Sequence, residues 1–366
     1  MSPTTPPSVL VLTPEYAPYA WGGLATYLHE VVSRLVADGA LVDVVVAPTY
    51  AGATDRADPD GLPRALVVDA DTDPEFQLAK IEQAWGRDYD VAFVHDPQTA
   101  PLAALLIGRS VCRRLIAIAH LPTYSGFSYF DKPEDDAQHQ ALETLLFRLS
   151  HRVVAPSWFA ADLVLQVHRL DPDDLAVIPF GAPTLEPTAR ARVPGDPLDV
   201  VSVGRVAKQK GLEDLCAIAD AIPEHLASIT HIGSARKGAD DGLLGQTRIS
   251  PLGYRPHPEV LARLLEADVV LSTSMYETFG LALLEGMAAG AVPVAFECGP
   301  FREFIEPEVS GLLVGPGDVA GVIEVVGALH RDPERLECLA SGAIAAARRF
   351  SWDDHVAELT AVMLDR

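Results

Sequence analysis

The chain has 366 residues, which at roughly 100 to 200 residues per domain argues for two cores, each large enough to stand without disulfide or metal. Hydrophobic residues make up 49% and charged residues 22%, a globular composition that excludes disordered and collagen-like chains. With 51 Asp and Glu against 28 Lys and Arg, the net charge of -23 disfavours nucleic acid and anionic bilayers as partners, and suits solubility or a neutral or cationic acceptor.

Cys112, Cys216, Cys298 and Cys338 are scattered without a CxxC pair, which argues against a zinc site and against a disulfide framework and fits a reducing compartment. The opening MSPTTPPSVLVLTPEY lacks a basic region before its apolar run, and no stretch approaches about eighteen uninterrupted apolar residues. A soluble, cytoplasmic protein without stable membrane association is expected.

Short β-branched runs alternate with helical spacing from the start. Ser8 to Thr13, Leu41 to Ala47, Val91 to His95, Leu115 to His120 and Arg152 to Pro156 read as buried parallel strands. Leu24 to Asp38 has apolar positions at helical spacing and stops at Gly39, so the first units are βαβ. Ile178 to Pro197 is rich in proline and glycine, lacks a sustained period, and reads as a linker. A second series follows, with strands at Leu198 to Val203, Ser228 to Ile232, Val269 to Ser272 and Val292 to Ala295. Phe350 to Asp365 reads as an amphipathic helix entered through Ser351. The expected division is therefore an α/β domain over residues 1–185, a second over 186–349, and a helix over 350–366 that packs back on the first. No repeat of 20 to 50 residues is visible, which excludes a solenoid. Doubly wound parallel sheets bind ligands beyond the carboxyl ends of their strands.

The richest stretch is STSMYETFGLALLEGMAAGAVP, Ser272 to Pro293, where a strand passes through a loop into a helix expected from about Phe279. Amides of Phe279, Gly280 and Leu281 at that helix start would meet the positive end of the helix dipole, a setting for a diphosphate. Glu277 and Glu285 are eight residues apart, about 12 Å along a helix axis at 1.5 Å per residue, so one elongated donor could touch both carboxylates. This segment resembles the retaining, GT-B type glycosyltransferases related to the sucrose, glycogen and lipid-linked sugar synthases. Their E-x7-E motif, Gly/Ala-rich turn and PVV-like strand are matched by ETFGLALLE and GAVPVA. The resemblance implies two Rossmann-like domains facing across a cleft. It also implies Glu277 on hydroxyls of the transferred sugar, Glu285 on the ribose, and the three amides on the diphosphate.

SVGRVAKQKGLEDLCAIA places Arg205 and Lys210 between a strand and a helix, where two cations can converge on phosphate without a metal. The R-x4-K spacing is similar to the family's pyrophosphate clamp. Gly22 and Gly23, in PEYAPYAWGGLATYLHEV, stand where backbone can curl around an anion. The pattern is not GxGxxG, which lowers the dinucleotide-cofactor reading, and by resemblance the GG loop lies over the donor phosphates. His120 closes a strand, and the resemblance gives such a histidine a contact with the sugar. His95 and Asp96 end another strand and stand as acceptor-side candidates or turn caps. Tyr124, Tyr129 and Asp131 offer aromatic and acidic surfaces to a sugar or aminocyclitol, while Tyr254 and Arg255, after Gly253, occupy the turn where relatives hold the base. Departures at Ser274, Met275, Tyr276 and the acceptor loop leave sugar and acceptor open.

The expected activity is a retaining, metal-independent transfer from a nucleotide diphosphate sugar to a small hydroxylated acceptor, with no further cofactor and no DxD-like metal motif at a suitable strand end. Arg205 and Lys210 would stabilise the leaving group. A nucleotide-sugar epimerase, a sugar phosphorylase and a non-catalytic nucleotide-sugar sensor are the alternatives; oligomeric state is not legible.

Overall fold

The computed structural model describes residues 6–16, 22–47, 63, 65–70, 72–122, 133–187, 195–234 and 244–364, those of 133–135 in backbone only. Tyr124, Tyr129 and Asp131 lie outside the described residues. Contacts divide the chain into Met1–Pro179 with Trp352–Arg366, and Phe180–Ser351.

The first unit runs β1 (Ser8–Thr13), α1 (Gly23–Ala37), β2 (Leu41–Val46), β3 (Ala65–Val67), α2 (Pro74–Trp85), β4 (Tyr89–Val94), α3 (Ala100–Gly108), β5 (Cys112–Ile118), α4 (Pro133–Leu149), β6 (Arg152–Ala155), α5 (Trp158–His168) and β7 (Leu175–Val177). Its parallel sheet has the order β3-β2-β1-β4-β5-β6-β7, with Ser8 opposite Leu41 and Val9 opposite Val91. The continuous Val, Leu and Ile runs are what burial on both sheet faces demands. Capping sets the helix starts: the Asp73 carboxylate accepts from Glu75 N at 2.8 Å, and the Ser157 hydroxyl from Ala160 N at 3.0 Å.

The second unit runs β8 (Leu198–Val203), α6 (Leu212–Ala221), β9 (Ala227–Ile232), β10 (Ser250–Gly253), α7 (His257–Glu266), β11 (Val269–Ser272), α8 (Leu281–Ala288), β12 (Val292–Phe296), α9 (Phe301–Phe304), β13 (Leu312–Val314), α10 (Val319–Arg331) and α11 (Pro333–Ala347). Its sheet order is β10-β9-β8-β11-β12-β13, again parallel. The final helix, α12 (Trp352–Met363), belongs to the first unit, where it packs on α1. Trp352 and His355 lie edge-on to Tyr27, with centroids 5.9 and 5.4 Å away, and Arg34 Nε reaches Asp353 at 2.7 Å.

Both sheets reverse their winding at the centre, between β1 and β4 in one and β8 and β11 in the other. That reversal opens a crevice at the strands' carboxyl ends, because the connecting helices leave to opposite faces. The two doubly wound α/β units bear out the expected fold class. No described helix is long and apolar enough to cross a membrane.

Candidate functional site in the second unit

The loops after β8 and β11 meet at the switch point and are laced by their backbones. Met275 N donates to Gln209 O at 2.9 Å, and the Thr273 hydroxyl donates to the Lys210 and Gly211 carbonyls at 2.9 and 3.0 Å. Gly211 has φ +63°, and a Cβ there would come within 1.9 Å of the Thr273 carbonyl oxygen, so this approach requires glycine. The lacing sets Lys210 against the β11 loop. Its Nζ donates to Glu277 Oε1 at 2.5 Å, and the Ser274 hydroxyl donates to the same oxygen at 2.9 Å.

Glu277 therefore carries a charge-assisted pair on one carboxylate oxygen, with its side chain 13% exposed and that of Lys210 26%. Arg205, half-buried, lines the same crevice as Lys210 and has no acidic partner among the described residues. That crevice, partly open to solvent, is also lined by Gly204, Ser272, Thr273 and His231. The site thus holds one cation spent on a carboxylate and one available to an anion. Next to it the Cys298 thiol is pushed up to about 12, first by burial and then by the charge of Glu277, and stays protonated at neutral pH.

One expectation needs correction here. The helix begins at Leu281, not at about Phe279, because Gly280 takes φ +97° as N-cap and breaks the helical path. A Cβ on Gly280 would come 2.5 Å from the Phe301 ring. Glu277 consequently sits in the preceding loop, and helical rise does not measure its distance from Glu285. The Phe279 side chain is buried among Phe180, Phe304 and Phe350, with centroids at 5.1, 5.7 and 6.1 Å, which anchors the loop from behind.

Glu285 is not on a solvated helix face: it is 5% exposed, on α8, and its Oε1 meets His257 Nε2 at 2.8 Å. His257 opens α7, just after Tyr254, which is 40% exposed, and Arg255, whose Nη1 donates to the Tyr254 carbonyl at 3.1 Å. His257 was not singled out from sequence. Its only signal was its place, two residues beyond the turn assigned to the base.

In the first unit, β5 ends at Ile118 and β4 at Val94, so His120 and His95 lie just beyond their strands. His95 Nδ1 and His120 Nε2 are 2.8 Å apart, and Tyr27 packs edge-on to both at 5.6 and 4.9 Å. Burial pushes both imidazoles down, His95 further by the neighbouring His120, and His120 to about 3 with help from His355. Behind them, His355 Nδ1 donates to the Pro179 carbonyl at 2.8 Å, which leaves its Nε2 to accept from the Tyr27 hydroxyl at 3.3 Å. The Asp96 carboxylate accepts from Gln98 N at 3.0 Å, the turn-capping role, and burial raises its pKa. Gly22 precedes α1 in extended backbone, φ -167°, and among the described residues a Cβ there would meet only Glu15 Oε2 at 3.9 Å; Gly23 is exposed. Neither geometry demands a glycine at Gly22.

Comparison with known proteins bears directly on this arrangement. Residues 187–345 match the model described as Glycosyl transferases group 1, and residues 21–184 that of Glycosyltransferase Family 4. The chain belongs to the group 1 glycosyltransferases and has their GT-B fold: it is a nucleotide-sugar glycosyltransferase. It is 28% identical to D-inositol 3-phosphate glycosyltransferase 1 of Catenulispora acidiphila, over 93% of this chain and 90% of that one. It is also 28% identical to the 2-deoxystreptamine N-acetyl-D-glucosaminyltransferase of Streptomyces fradiae, over 64% of this chain and 60% of the other. Among solved structures, Anabaena HepE in complex with UDP-glucose superposes with a TM-score of 0.77 at 20% identity, covering 98% of this chain and 100% of that one.

Proposed function

We propose that this glycosyltransferase moves a hexose from a uridine diphosphate sugar to a small cyclitol or aminocyclitol, with retention at the anomeric carbon. The reading is carried by one observation: Lys210, Glu277 and Ser274 form a hydrogen-bonded cluster beside Arg205, at the switch-point crevice of the second sheet. A diphosphate needs fixed cations and amides, and a sugar hydroxyl needs a carboxylate acceptor; the cluster offers both kinds of group side by side.

In this reading Arg205, Lys210 and the amides of Phe279, Gly280 and Leu281 hold the diphosphate, and Glu277 holds the sugar through its oxygen not taken by Lys210. Glu285 holds the ribose with the oxygen that His257 leaves open, and the turn at Tyr254 and Arg255 receives the base. His120 contacts the sugar, Gly22 and Gly23 border the donor, and His95 and Asp96 serve the acceptor. As the anomeric C–O bond breaks, negative charge grows on the departing diphosphate, where the cationic side chains lower its energy without a metal ion. The same diphosphate then takes the acceptor hydroxyl proton on the face it has just left, which yields retention.

The support for a cyclitol acceptor is the pair of relatives named for inositol phosphate and 2-deoxystreptamine; that for the donor is the HepE complex. The test is a screen of UDP-, GDP-, ADP- and dTDP-hexoses against inositol, inositol phosphate and 2-deoxystreptamine, with proton NMR of the first product. An axial donor linkage is expected to give an axial product, and an inverted anomeric coupling would overturn the stereochemical reading.

A further inference from the structure

The alternation of β9 reserves its inward positions for the core: Ala227 and Ile229 pack into it, and the next inward position is His231. A histidine in an aliphatic register is costly unless its nitrogens are bonded. His231 is 3% exposed, and neither ring nitrogen completes a hydrogen bond with a described atom. It stands opposite Ser202 in the β8–β9 register, at the carboxyl end of the sheet, and lines the crevice shared by Arg205 and Lys210. Burial pushes the imidazole down to about 4, opposed by the nearby Gly204 carbonyl, so near neutral pH the ring is uncharged and has one N–H to donate and one nitrogen to accept.

A buried imidazole that lies near the Gly204 carbonyl but completes no hydrogen bond of good geometry, and that faces a crevice with an unneutralised guanidinium, calls for an anionic oxygen. We propose that His231 is a ligand residue of this crevice, donating an imidazole N–H to a diphosphate oxygen of the nucleotide donor. The proposal rests on the crevice being the diphosphate site and adds a neutral donor to its two cations. A neutral donor at this depth suits the site, because a cation as deeply buried as the His231 ring, unlike the half-buried Arg205, would have to be neutralised by carboxylate before the donor arrived.

The test is calorimetric titration of the full chain with inorganic pyrophosphate, UDP and uridine. His231→Leu restores an aliphatic side chain to an aliphatic register, so its melting temperature is expected to equal or exceed that of the unaltered chain. Its affinity for pyrophosphate and UDP is expected to fall about tenfold, with uridine unchanged. His231→Gln keeps an N–H donor and is expected to recover part of the loss. Pyrophosphate binding undiminished in His231→Leu would overturn the proposal, as would an equal loss for uridine. Arg205→Ala separates the two levels of the argument. If Arg205→Ala loses pyrophosphate while His231→Leu does not, only the role of His231 fails; if neither loses it, the crevice is not the diphosphate site. Should the leucine variant not fold, nitrogen NMR of the imidazole in the unaltered chain decides: movement of the His231 ring signals on adding pyrophosphate supports the contact, and its absence overturns it.

Discussion

Lys210 and Glu277 depend on one another before any donor arrives. The pair is only partly exposed, and each oxygen or proton it uses is fixed by a named neighbour. Removing either partner leaves the other charge without its complement at the place where transfer chemistry is proposed. Glu277→Ala and Lys210→Ala should each slow transfer at least about tenfold, roughly 1.4 kcal/mol of barrier. Initial rates with saturating donor check this, and normal turnover in both variants would discard the site. A second residue-scale consequence concerns acid. His120, His355 and His95 all have native pKa values below the ordinary 6.5, His120 at about 3 and His355 at about 4, with burial as the main cause. The unfolded chain therefore binds more protons than the native one below pH 6.5, so these groups contribute stability that is present above that pH and lost as pH falls toward 3. Urea melts at pH 7 and pH 5 should show the first unit weakening, and His355→Gln should flatten the difference; equal midpoints at the two pH values would refute it.

At the scale of elements, the long buried strands were readable because β-branched runs admit little else. The expected bounds of β1, β8 and β11 coincide with those observed. The sheet edges were not read: β3, β7, β10 and β13 have three or four residues and, at the margins of their sheets, are less fully buried than the equally short central β11. The charged Arg113 and Arg114 concealed the start of β5. Of the site, the residue types at Arg205, Lys210, Glu277 and Glu285 were legible from local motifs, whereas the partners were not. The bond from His257 to Glu285 joins residues 28 positions apart, and the Lys210 to Glu277 pair spans 67; tertiary packing alone creates both. His231 was different, since its strand was recognised and its inward register was computable from alternation. The helix α12 shows what a terminal element contributes: Trp352, His355, Leu359 and Met363 are all buried, and Tyr27, which packs on Trp352 and His355, also backs the two strand-end histidines. Trp352→Ala should destabilise the first unit by about 3 kcal/mol. Equilibrium urea unfolding measures it, and a loss below about 1 kcal/mol would mean that α12 is not integral to that unit.

For the whole molecule the dominant fact is charge. At -23, the chain repels the nucleotide sugar it is assigned to bind, so donor capture relies on cations concentrated at one crevice and not on the surrounding field. The same field attracts a cationic acceptor and is indifferent to a neutral one. Salt screens both effects, with a Debye length of about 30 Å at 0.01 M and about 8 Å at 0.15 M, so raising ionic strength removes the long-range part and leaves close contacts. The proposed assignment therefore requires opposite trends. Between 0.01 and 0.15 M salt, the KM of the diphosphate donor should fall, that of a 2-deoxystreptamine-like acceptor should rise, and that of inositol should stay level. Steady-state kinetics with each substrate varied in turn distinguishes these outcomes. A cationic acceptor whose KM is as flat as that of inositol would show that the acidity serves solubility alone and takes no part in choosing the acceptor.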